Sequence, residues 1–243
     1  MNVVQRALDW FGDSAQWSGV DGIPNRVGEH LYYSGLALLI AALIALPLGL
    51  FIGHTGRGAF LAVNSAGAAR ALPTVGLVGL TVVVFGIGLT PTLLPLVALA
   101  IPPILVNTYA GVRQVDAQLR DAANGMGMTG AQVLFQVELP VALPLIILGL
   151  RTAAVQIVST ATIAAYVGLG GLGRYIFDGL AQRDFPQMIG GSLLVALLAI
   201  VADLLLASLQ KLVVSPGLQA APRSGARRLR AVPTDRPAAA RAA

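Results

Sequence analysis

Apolar residues run through this chain in long, nearly charge-free blocks, not in the alternation of a strand or the one-sided stripe of a soluble helix. Residues 31–53 and 71–112 carry no charge, residues 139–173 carry only Arg151, and residues 185–202 carry none. A helix crossing the hydrocarbon core of a bilayer needs about 20 apolar residues, so each block predicts a span. The alternative, buried helices of a large soluble core, requires polar partners to cover several such helices. The predicted spans cover residues 24–53, 59–87 with an interruption at Pro73, the stretch from the turn 88–91 to 112, 140–165 and 186–212. That makes five spans, or six if the break at Pro73 separates two helices. Pro24 suits a first helical turn. Pro95, Pro102 and Pro103 should bend the third span, since membranes tolerate such breaks where neighbours re-satisfy the backbone.

Composition agrees with an all-α, polytopic membrane protein. Of 243 residues, 56% are hydrophobic and only 11% charged, against about 25% charged in soluble domains; the mean hydropathy is +0.77. Cysteine is absent, which excludes disulfides and thiolate metal sites. The net charge of +5 collects in the tail, where Arg223, Arg227, Arg228, Arg230, Arg236 and Arg241 sit among prolines and alanines. Residues 216–243 therefore read as a disordered basic tail that sets topology, with anionic-lipid binding as the alternative. Residues 1–28 are mixed and polar, lack a cleavable-signal pattern, and place Trp10, Phe11 and Trp17 where interfacial rings collect. Residues 29–215 form the membrane domain.

Lys and Arg near the span ends set the orientation. With the N-terminus outside, the inner side holds Arg57, Arg113, Arg120, Lys211, Arg223, Arg227, Arg228 and Arg230 and the outer side only Arg26, Arg174 and Arg183. The C-terminus and the polar loop 113–139 are then cytoplasmic.

Within that loop Asp116 can cap a short helix on which Leu119, Ala122, Ala123 and Met126 share a face. Gly127 suits its end. Thr129 and Gln132 have capping-box spacing for a second short helix, which Pro140 follows. On these features a structural re-entry loop and a partner site fit equally. The residues add a pattern: Asp121-Ala122-Ala123, three residues, Gly127, nine residues, Val137-Glu138-Leu139-Pro140. This resembles the cytoplasmic loop of binding-protein-dependent ABC importer permeases, Glu-Ala-Ala, Gly, Ile-x-Leu-Pro. Every spacing is kept, with Asp for Glu and Val for Ile.

The resemblance implies an ABC importer permease fold in the bacterial plasma (inner) membrane. The loop Asp121, Ala122, Ala123, Met126, Gly127, Val137, Leu139 and Pro140 would act as a coupling helix in a groove of a nucleotide-binding subunit. It also implies a second permease subunit, identical or paralogous, and an extracytoplasmic solute-binding protein. The chain has no Gly-x-x-x-x-Gly-Lys-[Ser/Thr] loop, so it would bind no cofactor; ATP and magnesium would sit on the partner, and this chain would not be an enzyme. Residues 107–112, 125–129, 160–168 and 170–180 resemble permeases for glycine betaine, choline, carnitine or proline-like solutes. An amino-acid importer is the nearby alternative.

Other signals are weaker. Gly168-Leu169-Gly170-Gly171-Leu172-Gly173 fits a dinucleotide fingerprint formally, but lacks its strand and helix context. With Tyr109 and Tyr166, glycines 168, 170, 171 and 173 are candidates for the pathway or an external gate, the turn being read as flexible. Tyr109, Tyr166 and Phe85 offer either cation–π contact to a quaternary ammonium or ordinary packing. His30 and His54 read as isolated, solvated histidines; neither a metal cluster nor a nucleic-acid partner is implied. Arg70, Arg151 and Asp203 lie at similar depth in the inner half of the bilayer, Arg151 about 16 Å along its helix from Pro140 and Asp203 about 14 Å from Leu212. Isolated charges there are costly, so either Asp203 pairs with Arg151 or Arg70, or each arginine separately meets carbonyls at a helix break or snorkels to the inner surface. An ion-coupled secondary transporter is the competing class, resting on Asp203 alone; a structural anchor is the third.

Overall fold

The computed structural model describes residues 3–60, 62, 64, 67 and 73–214, and every element among them is helical. Helix α1 (Val3–Gly12) is followed by a 3-10 turn, Ser14–Trp17, and by the long helix α2 (Ile23–Thr55). Helices α3 (Thr74–Phe85), α4 (Leu89–Arg113) and α5 (Ala117–Gly125) come next. A continuous helical rod, α6 (Gly130–Val167), leads to α7 (Gly173–Gln182) and α8 (Phe185–Val213).

Four of these, α2, α4, α6 and α8, are long and apolar enough to cross a membrane. The expected span over 59–87 does break at Pro73, which stands at the N-cap of α3. At about 1.5 Å per residue, the 12 residues of α3 reach only part of the way across a core about 30 Å thick. Residues 61, 63, 65–66 and 68–72 lie outside the described residues, as do Arg70 and the tail beyond 214.

The centre of the bundle is α4, packed between α2 and α6. One face of α2 explains how they approach: Ala37, Ala41, Ala45, Gly49 and Gly53 recur every four residues and are all buried. Apolar side chains gain little by leaving lipid for another helix, so membrane helices associate where small residues admit a neighbouring backbone. A Cβ on Gly49 would lie 2.7 Å from Thr108 Cβ, and one on Gly53 2.6 Å from Val112 Cβ. Ala100, Ile104, Ala153 and Ile157 complete the core from α4 and α6.

The prolines of α4 stay inside a helix that runs unbroken from Leu89 to Arg113. Pro95 has no N–H to give the Pro91 carbonyl four residues back. The hydroxyl of Thr81, from α3, donates to that carbonyl at 2.7 Å instead. By contrast α8 keeps Leu193, Leu197, Ile200, Leu204 and Leu205 exposed, the all-round apolar pattern of a span facing lipid.

Two expectations change. The second short helix after the glycine corner does not end at Pro140; it continues through it into α6. A π-helical segment, Val133–Glu138, precedes the proline, and the Leu139 N–H bonds to Leu134 O, five residues back. Pro140 cannot give the regular bond to Gln136 O, and the wider turn absorbs that loss. The other change concerns Trp10, which is not an interfacial ring: it is buried with Ile23, Leu172, Tyr175 and Val195. Its ring lies against α8 at Gly190, where a Cβ would come within 2.4 Å of it. Only Trp17 keeps half its surface exposed, its indole N–H donating to Phe11 O.

Candidate functional site

The loop between α4 and α6 is built by local signals. Asp116 Oδ1 accepts the Gln118 N–H at 2.8 Å and starts α5. Gly127 ends it in the left-handed region at φ 81°, with the Met128 N–H returning to Ala123 O at 3.2 Å. Thr129 then opens α6 through a capping box: Thr129 N donates to Gln132 Oε1 at 2.7 Å, while Gln132 N donates to Thr129 Oγ1 at 3.4 Å.

The result is a rigid corner with two unlike sides. Ala123 is buried against the bundle, whereas Asp121, Ala122, Leu119 and Met126 face outward, Met126 being 76% exposed. Val137, Leu139 and Pro140 are half-buried at the root of α6, with Leu139 against the cluster of Val112, Ala142 and Ile146. An exposed methionine and leucine beside a carboxylate and an alanine form a small surface that none of the described residues covers.

Beneath the corner lies a buried carboxylate that no local sequence signal marks. Glu138, its side chain 2% exposed, is hydrogen-bonded by Oε2 to His54 Nδ1 at 2.7 Å, while Oε1 lies 2.9 Å from Arg120 Nε as an ion pair whose N–H is not aligned for a hydrogen bond. Arg120 Nη2 also donates to Val112 O. His54 is therefore neither isolated nor fully solvated. His30 is likewise corrected: it is fully buried, with Nε2 2.9 Å from Val158 O.

On the flank of the bundle Arg151 and Asp203, their side chains 25% and 35% exposed, form a two-pronged pair, Nε to Oδ1 and Nη2 to Oδ2, each 2.9 Å. Gln210 extends it, accepting from Arg151 Nη1 at 3.2 Å and donating to Pro144 O at 3.4 Å. This geometry joins α6 to α8 and suits the planar guanidinium.

At the opposite end, the turn after α6 is held, which corrects the flexible reading. Gly168 and Gly171 adopt φ of 84° and 90°. Glu29 Oε2 accepts the Gly171 N–H at 2.7 Å and also meets Arg26 Nη1 at 2.9 Å. A Cβ on Gly170 would strike that carboxylate at 2.0 Å, and one on Gly173 would strike Thr162 O at 2.1 Å. Tyr166 stands beside this turn, 65% exposed, its ring centroid 5.7 Å from that of Phe177. Below it, Tyr175 donates its hydroxyl to Asp21 O at 2.6 Å, and burial pushes the Tyr175 phenol above its ordinary range. Tyr109 is not part of this group: its carbonyl lies near Gly53, at the end of the bundle that carries the corner. Among the described residues no set of His, Asp and Glu side chains forms a metal site.

Comparison with known proteins agrees with this architecture. The chain is 36% identical over 194 residues to the glycine betaine/carnitine/choline transport system permease protein OpuCB of Bacillus subtilis, covering 80% of this chain and 89% of that protein. It is 38% identical over 199 residues to the osmoprotectant import permease protein OsmW of Salmonella typhimurium, covering 79% and 91%. Among solved structures, a chain of the inward-facing MetNI methionine ABC transporter superposes with a TM-score of 0.67 at 23% identity, over 79% of this chain and 96% of that one; this likeness speaks for the fold alone. The family described as the binding-protein-dependent transport system inner membrane component matches residues 37–215, and the chain belongs to that family of multi-pass ABC importer permeases.

Proposed function

We propose that the chain carries a compatible solute of the quaternary-ammonium or betaine type (glycine betaine, choline or carnitine) through the membrane, as one half of an importer driven by a separate ATPase subunit. The observation that carries the solute class is similarity of 36–38% to osmoprotectant permeases over about four-fifths of the chain. The corner at Gly127 is the docking surface for the ATPase, and the N-terminus lies outside, a reading supported by the excess of Lys and Arg on the loop side. Glycines 168–173, fixed by Glu29, and Tyr166 form the outer mouth of the pathway, where a solute-binding protein delivers its load. Asp203, the one carboxylate deep in the spans, is neutralised by Arg151, which removes the best candidate for ion coupling.

Vesicles containing this permease, its ATPase and its binding protein should accumulate radiolabelled glycine betaine or choline, and unlabelled carnitine should compete. Accumulation of labelled methionine or histidine, with no competition by quaternary ammonium solutes, would overturn the solute class.

A further inference from the structure

We propose that Glu138 is a positioning residue for transport: the node through which movement of α5 is passed to three membrane helices at once. The inference rests on the reading of α5 as the element moved by the ATPase subunit.

The geometry points to one carboxylate as a junction. His54 belongs to the last turn of α2, Val112 to the last turn of α4, and Glu138 to the entry of α6. Arg120, on α5, reaches two of these by touching Glu138 Oε1 and the Val112 carbonyl. The other carboxylate oxygen holds His54; with the carboxylate accepting, Nδ1 carries the hydrogen. The second ring nitrogen, Nε2, faces Gly130, whose Cβ position lies 3.5 Å away, so the first turn of α6 also bounds the imidazole.

Two features make this a mechanical link, not incidental polarity. The hydrogen bond from His54 and the ion pair with Arg120 both resist separation, because parting either would leave the buried carboxylate uncompensated. Glu138 is also presented by a π-helical segment, a departure from regular geometry that concentrates at functional sites. The helices joined, α2, α4 and α6, are those that form the centre of the bundle. A rigid displacement of α5 therefore acts on all three cytoplasmic ends together, as coordinated reorientation of the bundle requires.

The test uses the complete importer in vesicles, with radiolabelled glycine betaine entry and phosphate release measured on the same preparation. The readout is ATP hydrolysed per solute imported, because loss of folded complex lowers both quantities together and leaves their ratio unchanged. Glu138→Gln, which keeps shape and removes charge, should raise the ratio about tenfold, and His54→Ala should raise it in the same direction. His54→Asn, whose amide can replace the Nδ1 donor, should return the ratio to within about twofold of the unaltered protein. If Glu138→Gln does not assemble, the two His54 variants decide. An unchanged ratio in Glu138→Gln, or in His54→Ala where the former fails to assemble, overturns the node. Failure of the unaltered importer to couple hydrolysis to solute entry overturns the functional reading itself.

Discussion

Gly127 shows how much one residue can carry. Its φ of 81° lies in the left-handed region, and a Cβ there would meet nothing within 4 Å. Substitution therefore tests backbone conformation without steric interference. A β-branched residue pays about 1–2 kcal/mol in that conformation, so Gly127→Val should reorient the corner and lower solute uptake at equal membrane abundance, while ATP hydrolysis becomes less dependent on solute. Wild-type uptake by Gly127→Val would remove the corner from the coupling path. The Arg151–Asp203 pair makes a second prediction at this scale. Asp203→Asn and Arg151→Gln should each lower the melting temperature in lipid or detergent, and the double variant should lose less than the sum. Strict additivity would show that the pair contributes no coupling. The two were legible to different degrees: the glycine follows from a local helix end, whereas matching depths on the predicted spans placed Asp203 with Arg151 or Arg70 without choosing between them. Glu138–His54 and Glu29–Gly171 were not legible. Their partners are 84 and 142 positions apart, and nothing local to either residue states which helix ends will meet.

The elements depend on close approach more than on apolar bulk. The small-residue face of α2 sets its distance from α4, and charge-free patterning identified the spans without identifying that face. The seam makes a direct prediction: Gly49→Ala puts a methyl group 2.7 Å from Thr108 Cβ and 3.1 Å from Leu105 O. Overpacking of this kind costs about 1–3 kcal/mol, so the variant should melt at lower temperature, whereas Gly35→Ala, with nothing within 4 Å, should not. Equal melting of both variants would mean that the helices can separate freely at this seam. Span limits were legible because a bilayer demands long apolar runs, and Pro24, Pro73 and Pro186 punctuate them. The passage of α6 through Pro140 was not, because a proline after a capped helix ordinarily signals a stop; here the π segment Val133–Glu138 supplies the missing slack. The burial of Trp10 was hidden as well, since it depends on Gly190 leaving room on a helix 180 residues away.

At the scale of the molecule, the corner at Gly127, the central helices and the glycine turn at the opposite end lie along one continuous structure. Arg120 and Glu138 join the corner to α2, α4 and α6; the far end of α6 leads into the turn held by Glu29 at the start of α2. On the proposed function, a partner that moves the corner would have a route through packed helices to the glycine turn at the opposite end. The family and its fold were legible from the loop pattern and the charge-free runs together, although five or six spans were expected and four helices long enough to cross, with the short α3, stand among the described residues; the internal contacts needed three dimensions. The most direct test of an ATP-driven importer is uptake of radiolabelled glycine betaine into vesicles that contain the permease, its ATPase subunit and its binding protein, with ATP supplied on the ATPase side and all ion gradients collapsed by ionophores. The account predicts accumulation that requires both ATP and the binding protein. Accumulation that persists without ATP and disappears when the ion gradients are collapsed would contradict it.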